Sequence, residues 1–125
     1  HVMTLIRIIL SFGLLLASGS LVAARTCETP AMTARHFAKV QPGSQIALLK
    51  GPRSKRFLKA FNAYPPATGY VGDAVVIIRL PHETRRVYLG IYQGGCLKHK
   101  GSITRKLAEL LMKQSNPGGV DGQAV

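Results

Sequence analysis

The sequence predicts an α+β fold: a small antiparallel sheet with two or three helices packed on one face. Three observations lead there. Val75-Val76-Ile77-Ile78 is apolar on both strand faces within a run over 74–80, the pattern of a covered central strand. An alternating run over 86–92 follows after the short turn Pro81-His82-Glu83-Thr84-Arg85, and so brief a connection implies an antiparallel hairpin. On either side of this hairpin, apolar residues recur at helical rather than strand spacing.

Taken in chain order, residues 1–24 read as a cleavable signal peptide. Arg7 supplies the basic start, Ile8 to Leu16 the apolar stretch, and Val22-Ala23-Ala24 the small residues before a cut at Arg25. The strongly apolar part is too short for the roughly 20 residues of a membrane anchor, so no stable transmembrane insertion is expected after cleavage. Arg25-Thr26 before Cys27 does not fit a lipoprotein signal. Residues 25–114 are expected to form one basic domain, and 115–125, rich in Gly with a Pro, a disordered tail.

Within the domain, Thr29-Pro30 opens a helix as N-cap and first-turn proline, with Met32, His36, Phe37 and Val40 at helical spacing. Pro42-Gly43 stops it. Ile46-Ala47-Leu48-Leu49 favours a short strand. A second helix runs from Ser54 to about Tyr64. Phe57, Leu58 and Phe61 fall on one side, with Arg53, Lys55, Arg56 and Lys59 mainly around the other. Such a helix can lie on anionic lipid, but inside a domain its apolar side belongs in a core. Gly94-Gly95 ends the second hairpin strand. Ser102 is expected to start the last helix, whose stripe is Ile103, Leu107, Leu110 and Leu111.

Charge is the unusual property. There are 17 Lys and Arg against 5 Asp and Glu, a formal net charge of +12, and the acids are scattered. A surface of this sign attracts acidic partners: protein, envelope polyanion or nucleic acid. The two cysteines, Cys27 and Cys96, both follow the signal, and export to an oxidising compartment predicts a disulfide between them. Pairing between chains is the alternative. Cys96-Leu97-Lys98-His99 has a zinc-like Cys-x-x-His spacing, but no second compact ligand pair accompanies it, and no metal or cofactor is expected.

Three constellations bear on chemistry. Lys98, Lys100, Gly101 and Ser102, just before the expected last helix, form a candidate anion-binding loop at a helix N-terminus, without a Walker sequence. Lys55, Arg56, Lys59 and Arg86 form a candidate basic face. With Tyr88 and Tyr92 it would stack single-stranded nucleic acid, unless a helix covers those tyrosines. His82 and His99, with a nearby lysine, would serve acid–base cleavage of a phosphodiester only if they converge.

No catalytic residue is assigned from these patterns. The expectation is a periplasmic or secreted binding module of a bacterial cell envelope with an acidic partner. A secreted nuclease-like effector and a structural envelope protein without a specific ligand are the alternatives. Intact mass of the protein recovered from the exporting cell, with and without reductant and alkylation, tests the export reading. A chain starting at Arg25 with thiols blocked until reduction is expected; an uncleaved chain with free thiols refutes it.

Overall fold

The computed structural model describes residues 27–115, so the signal-peptide segment 1–24 and the tail beyond Ser115 lie outside the described residues. The chain runs α1 (Pro30–Val40), β1 (Gln45–Lys50), α2 (Pro52–Asn62), β2 (Ala74–Arg79), β3 (Arg86–Gln93), β4 (Cys96–Thr104) and α3 (Arg105–Ser115). The four strands pair in the order β1-β2-β3-β4, and every pairing is antiparallel. The fold is therefore α+β.

The sheet organises itself around β2. All of Ala74 to Ile78 is buried, and Val75 to Ile78 are at most 1% exposed. Because successive strand residues point to opposite faces, a fully apolar strand must be covered twice. On one face Val75, Ile77, Leu89 and Ile91 meet Phe57 and Phe61 of α2 and Leu111 and Met112 of α3. On the other, Val76, Ile78 and Tyr92 meet Ala34 and Phe37 of α1. Helices thus lie on both faces, a correction to the one-faced arrangement expected. The α2 pattern holds as read: Phe57, Leu58 and Phe61 are buried, while Lys55, Arg56 and Lys59 are exposed.

The tyrosines of β3 lie beneath α1. Tyr92 is fully buried, and Tyr88 packs on Phe37 with ring centroids 4.7 Å apart. Gly90 between them leaves little room for a side chain, since a Cβ there would sit 3.0 Å from the Tyr92 hydroxyl. The Tyr92 hydroxyl donates to Thr33 Oγ1, and Thr33 donates to Glu28 Oε2 at 2.7 Å. Burial pushes the Tyr92 phenol up, so this buried donor keeps its proton. Burial, and then the neighbouring Tyr92, push the Tyr88 phenol up as well.

The start of the described chain is stitched to β4. Cys27 and Cys96 form a disulfide with Cα atoms 4.9 Å apart, and Leu97 N–H donates to the Glu28 carbonyl at 2.8 Å. The crosslink spans 69 residues, a closure worth about 4 kcal/mol on the chain-entropy model. At the N-terminus of α1, Met32 N–H donates to Thr29 Oγ1 at 3.2 Å, so the predicted cap forms.

The C-terminal third differs from expectation. Gly94 and Gly95, with φ of 60° and 80°, are not merely a strand end; they make the two-residue turn of a second hairpin. Residues 96–104 then continue as β4, in which Lys98 is the extra residue of a bulge opposite Ile91 and Tyr92. Ser102 is therefore a strand residue, and the helix cap is Thr104, whose Oγ1 accepts from Leu107 N–H at 3.3 Å. Ile103 points into the core from β4. Ala108, Leu111 and Met112 form the buried side of α3, leaving Leu110 exposed.

The turn between β2 and β3 is fastened to α3. Arg105 donates its main-chain N–H to Arg85 O at 2.7 Å, and its guanidinium to the Glu83 carbonyl. The Glu83 carboxylate accepts from Arg85 N–H at 2.7 Å and Arg86 N–H at 3.2 Å, and these two bonds hold it below its ordinary value. A lowered folded-state value means that this turn stabilises the fold above the unfolded-state value, and that the contribution fades as pH falls through the lowered one. Urea midpoints of the wild type are expected to fall between about pH 5 and about pH 3 more steeply than those of Glu83→Gln. Parallel curves would show that the carboxylate does not support the turn.

Candidate functional site

The loop after α2 builds the site. Asn62, the last residue of α2, donates Nδ2 to Tyr70 O at 2.8 Å and accepts from Tyr70 N–H at 3.2 Å. This amide clamp fixes the returning chain and sets the Tyr70 ring between two others. Its centroid lies 5.8 Å from Phe61 and 4.3 Å from His99 of β4. The ring divides two depressions on the α2–α3 side of the molecule.

The first is a cleft of about 290 Å³ between the α2 loop, β4 and α3. Phe61, Tyr64, Tyr70 and Leu107 form apolar walls, His99 adds an imidazole, and Arg86 at the start of β3 also lines it. Gly101 leaves its floor open, since a Cβ there would meet nothing nearer than His99 Nε2 at 3.4 Å. The second, about 470 Å³ and shallower, lies between α2 and Val71-Gly72 and carries Lys55 and Lys59. Val71 at its edge is 63% exposed.

Of the predicted basic face, Lys55, Lys59 and Arg86 therefore come to two depressions that share Tyr70, while Arg56 is exposed on α2 and lines neither. Tyr88 and Tyr92 do not join them, because α1 covers both. The candidate anion loop loses its premise. Lys98, Lys100, Gly101 and Ser102 lie within β4 rather than at a helix start, with Gly101 and Ser102 lining the cleft. His82 and His99 do not converge. His99 pairs with Ile91, whereas His82 lies in the turn before Arg86, whose partner is Thr104. The intervening five residues of strand amount to roughly 17 Å. The disulfide consumes both thiols, and among the described residues no group of His, Cys, Asp and Glu is placed to hold a metal ion.

The acids among the described residues are committed elsewhere. Glu28 accepts from Thr33, Asp73 accepts from Gly94 N–H at 2.9 Å, Glu83 holds its turn, and Glu109 lies 4.0 Å from Arg79. The lysines around Tyr70 thus face solvent on a strongly basic surface. Tyr64, Tyr70 and the aromatic role of His99 were not expected. The one local signal was the turn-rich stretch after α2, which says nothing about where its tyrosines land. Comparison with protein-family models, curated proteins and solved structures finds no match to the chain.

Asn62→Ala is expected to release Tyr70 and to lower stability by about 1–2 kcal/mol through its unpaired main-chain groups. Proton NMR contacts between the Tyr70 and His99 rings should disappear while the β-sheet signals persist. Retained ring contacts would show that the clamp does not position Tyr70.

Proposed function

We propose that this chain is an exported binding module, periplasmic or secreted from a bacterial cell, that takes an acidic partner at the paired depressions around Tyr70. The observation that supports it is that Lys55 and Lys59 line one depression and Arg86 the other, with Tyr70 shared between the two. Aromatic walls give a partner apolar area to bury, and the cations give it sign selectivity and electrostatic steering. Export is supported by the disulfide, a bond that persists in oxidising compartments, and by the sequence of residues 1–24. Among the described residues no helix is long and apolar enough to cross a membrane. A two-histidine hydrolytic reading draws no support from the placement of His82 and His99.

The test compares two triple charge reversals of equal net charge, binding labelled polyglutamate. K55E/K59E/R86E reverses the site, and R35E/K39E/K113E reverses exposed cations on α1 and α3. Site reversal is expected to weaken binding about tenfold more than the control, because attraction scales with proximity to the docked charge. Equal losses would mean that overall charge alone draws the acid, and the site would be refuted.

A further inference from the structure

The cleft beside Tyr70 touches Gly101, Ser102, Ile103 and Thr104 in succession. Consecutive strand residues point to opposite faces, so a depression lined by all four reaches the strand's main-chain edge. β4 is the last strand of the sheet. Among the described residues, the main-chain bond made to its outer side from outside the sheet is the one from Leu97 N–H to Glu28 O, at the disulfide end. From His99 to Thr104 the strand lies open beside an aromatic cleft.

From this geometry we infer that β4 receives an added strand from a partner: an extended polypeptide in which acidic and apolar residues alternate. The inference rests on the acidic-partner reading and names the partner class. An added strand satisfies the open N–H and C=O groups and sends alternate side chains to the two faces of the sheet. On one face they meet His99, the space above Gly101, and Ile103 in the cleft, which suits apolar residues. On the other they meet the row containing exposed Lys100, Ser102 and Thr104, which suits carboxylates. Exposed Lys98 at the bulge adds to that charge. A second copy of this chain is a poor occupant. Pairing β4 with itself would bring Lys98 and Lys100 of one copy against those of the other, and lysines on an edge strand oppose such pairing. Stacked nucleic acid fits less well, because the Tyr70 ring already packs between Phe61 and His99.

The experiment titrates the isotopically labelled chain with capped peptides of about eight residues, the length of an ordinary strand. One alternates Glu and Val; the other has the same composition in two blocks. The alternating peptide is expected to bind about tenfold tighter, to protect amides of 98–104 from hydrogen exchange, and to lose this advantage when its β4-facing amides are N-methylated. Gly101→Val, which fills the cleft floor, should bring it down to the block peptide's affinity. If that variant does not fold, Lys100→Glu should do so through the other face. Equal affinity for the two peptides, both still weakened by K55E/K59E/R86E, overturns strand addition and leaves the acidic-partner reading standing. Insensitivity of both peptides and of polyglutamate to that reversal overturns both. Tighter binding of oligothymidylate than of either peptide, with shifts at Tyr64 and Tyr70, overturns strand addition in favour of nucleic acid.

Discussion

The burial of β2 on both faces is the constraint on which the rest of the structure depends. Val75 and Ile77 cannot reach the core with Val76 and Ile78 unless a layer lies on each side. The three helices of the described residues are divided accordingly, two on one face and one on the other. The lone helix, α1, is an 11-residue segment, too short to persist by propensity alone. It is held by what surrounds it: the Thr29 cap, the Tyr92–Thr33–Glu28 hydrogen bonds, and the disulfide that ties Cys27 to the start of β4. The crosslink thus does more than shorten the unfolded chain. It sits at the N-terminal end of the helix that makes the second face possible.

That division also creates the site. α2 and α3 cover the centre of their face, where Phe57, Leu89 and Leu111 meet. Toward β4 the cover is left to the loop that carries Tyr70. A loop clamped at one point by Asn62 fills this space incompletely, and a cleft remains over Gly101. The same economy of acids shapes its charge. Glu28, Asp73 and Glu83 accept from hydroxyl or main-chain donors in segments and turns that need an acceptor, so they are not available to neutralise Lys55, Lys59 or Lys100.

How much of this was legible depends on whether the signal was local. The β2–β3 hairpin, the capped start of α1, the two-sided α2 and the cysteine pair follow from spacing and composition, and all appear where read. β4 was missed because Gly101-Ser102 and Thr104-Arg105 both resemble a helix start, and only the need of β3 for a second partner decides between them. In hindsight the alternation of His99, Gly101 and Ile103 with Lys100, Ser102 and Thr104 marks a strand. Helical periodicity showed which side of each helix is apolar but not which face of the sheet it would cover. Tyr70 was illegible because its place is set by an amide eight residues away and a histidine on another strand.

The placement of lysines on β4 carries the last step. An open edge next to an apolar cleft invites pairing with any exposed strand, including that of another copy, and natural sheets resist this with edge lysines and bulges. Lys98 and Lys100 supply both devices at once, since Lys98 is itself the bulge residue. Against a basic copy of the same chain the repulsion is mutual. Against an acidic strand it would reverse sign, so on the strand-addition proposal one pair of side chains opposes self-pairing and favours the partner. A chain of net charge +12 extends that choice to long range, favouring encounters with acids before any contact forms. The open stretch of the edge is then guarded against a second copy by the like charges of Lys98 and Lys100.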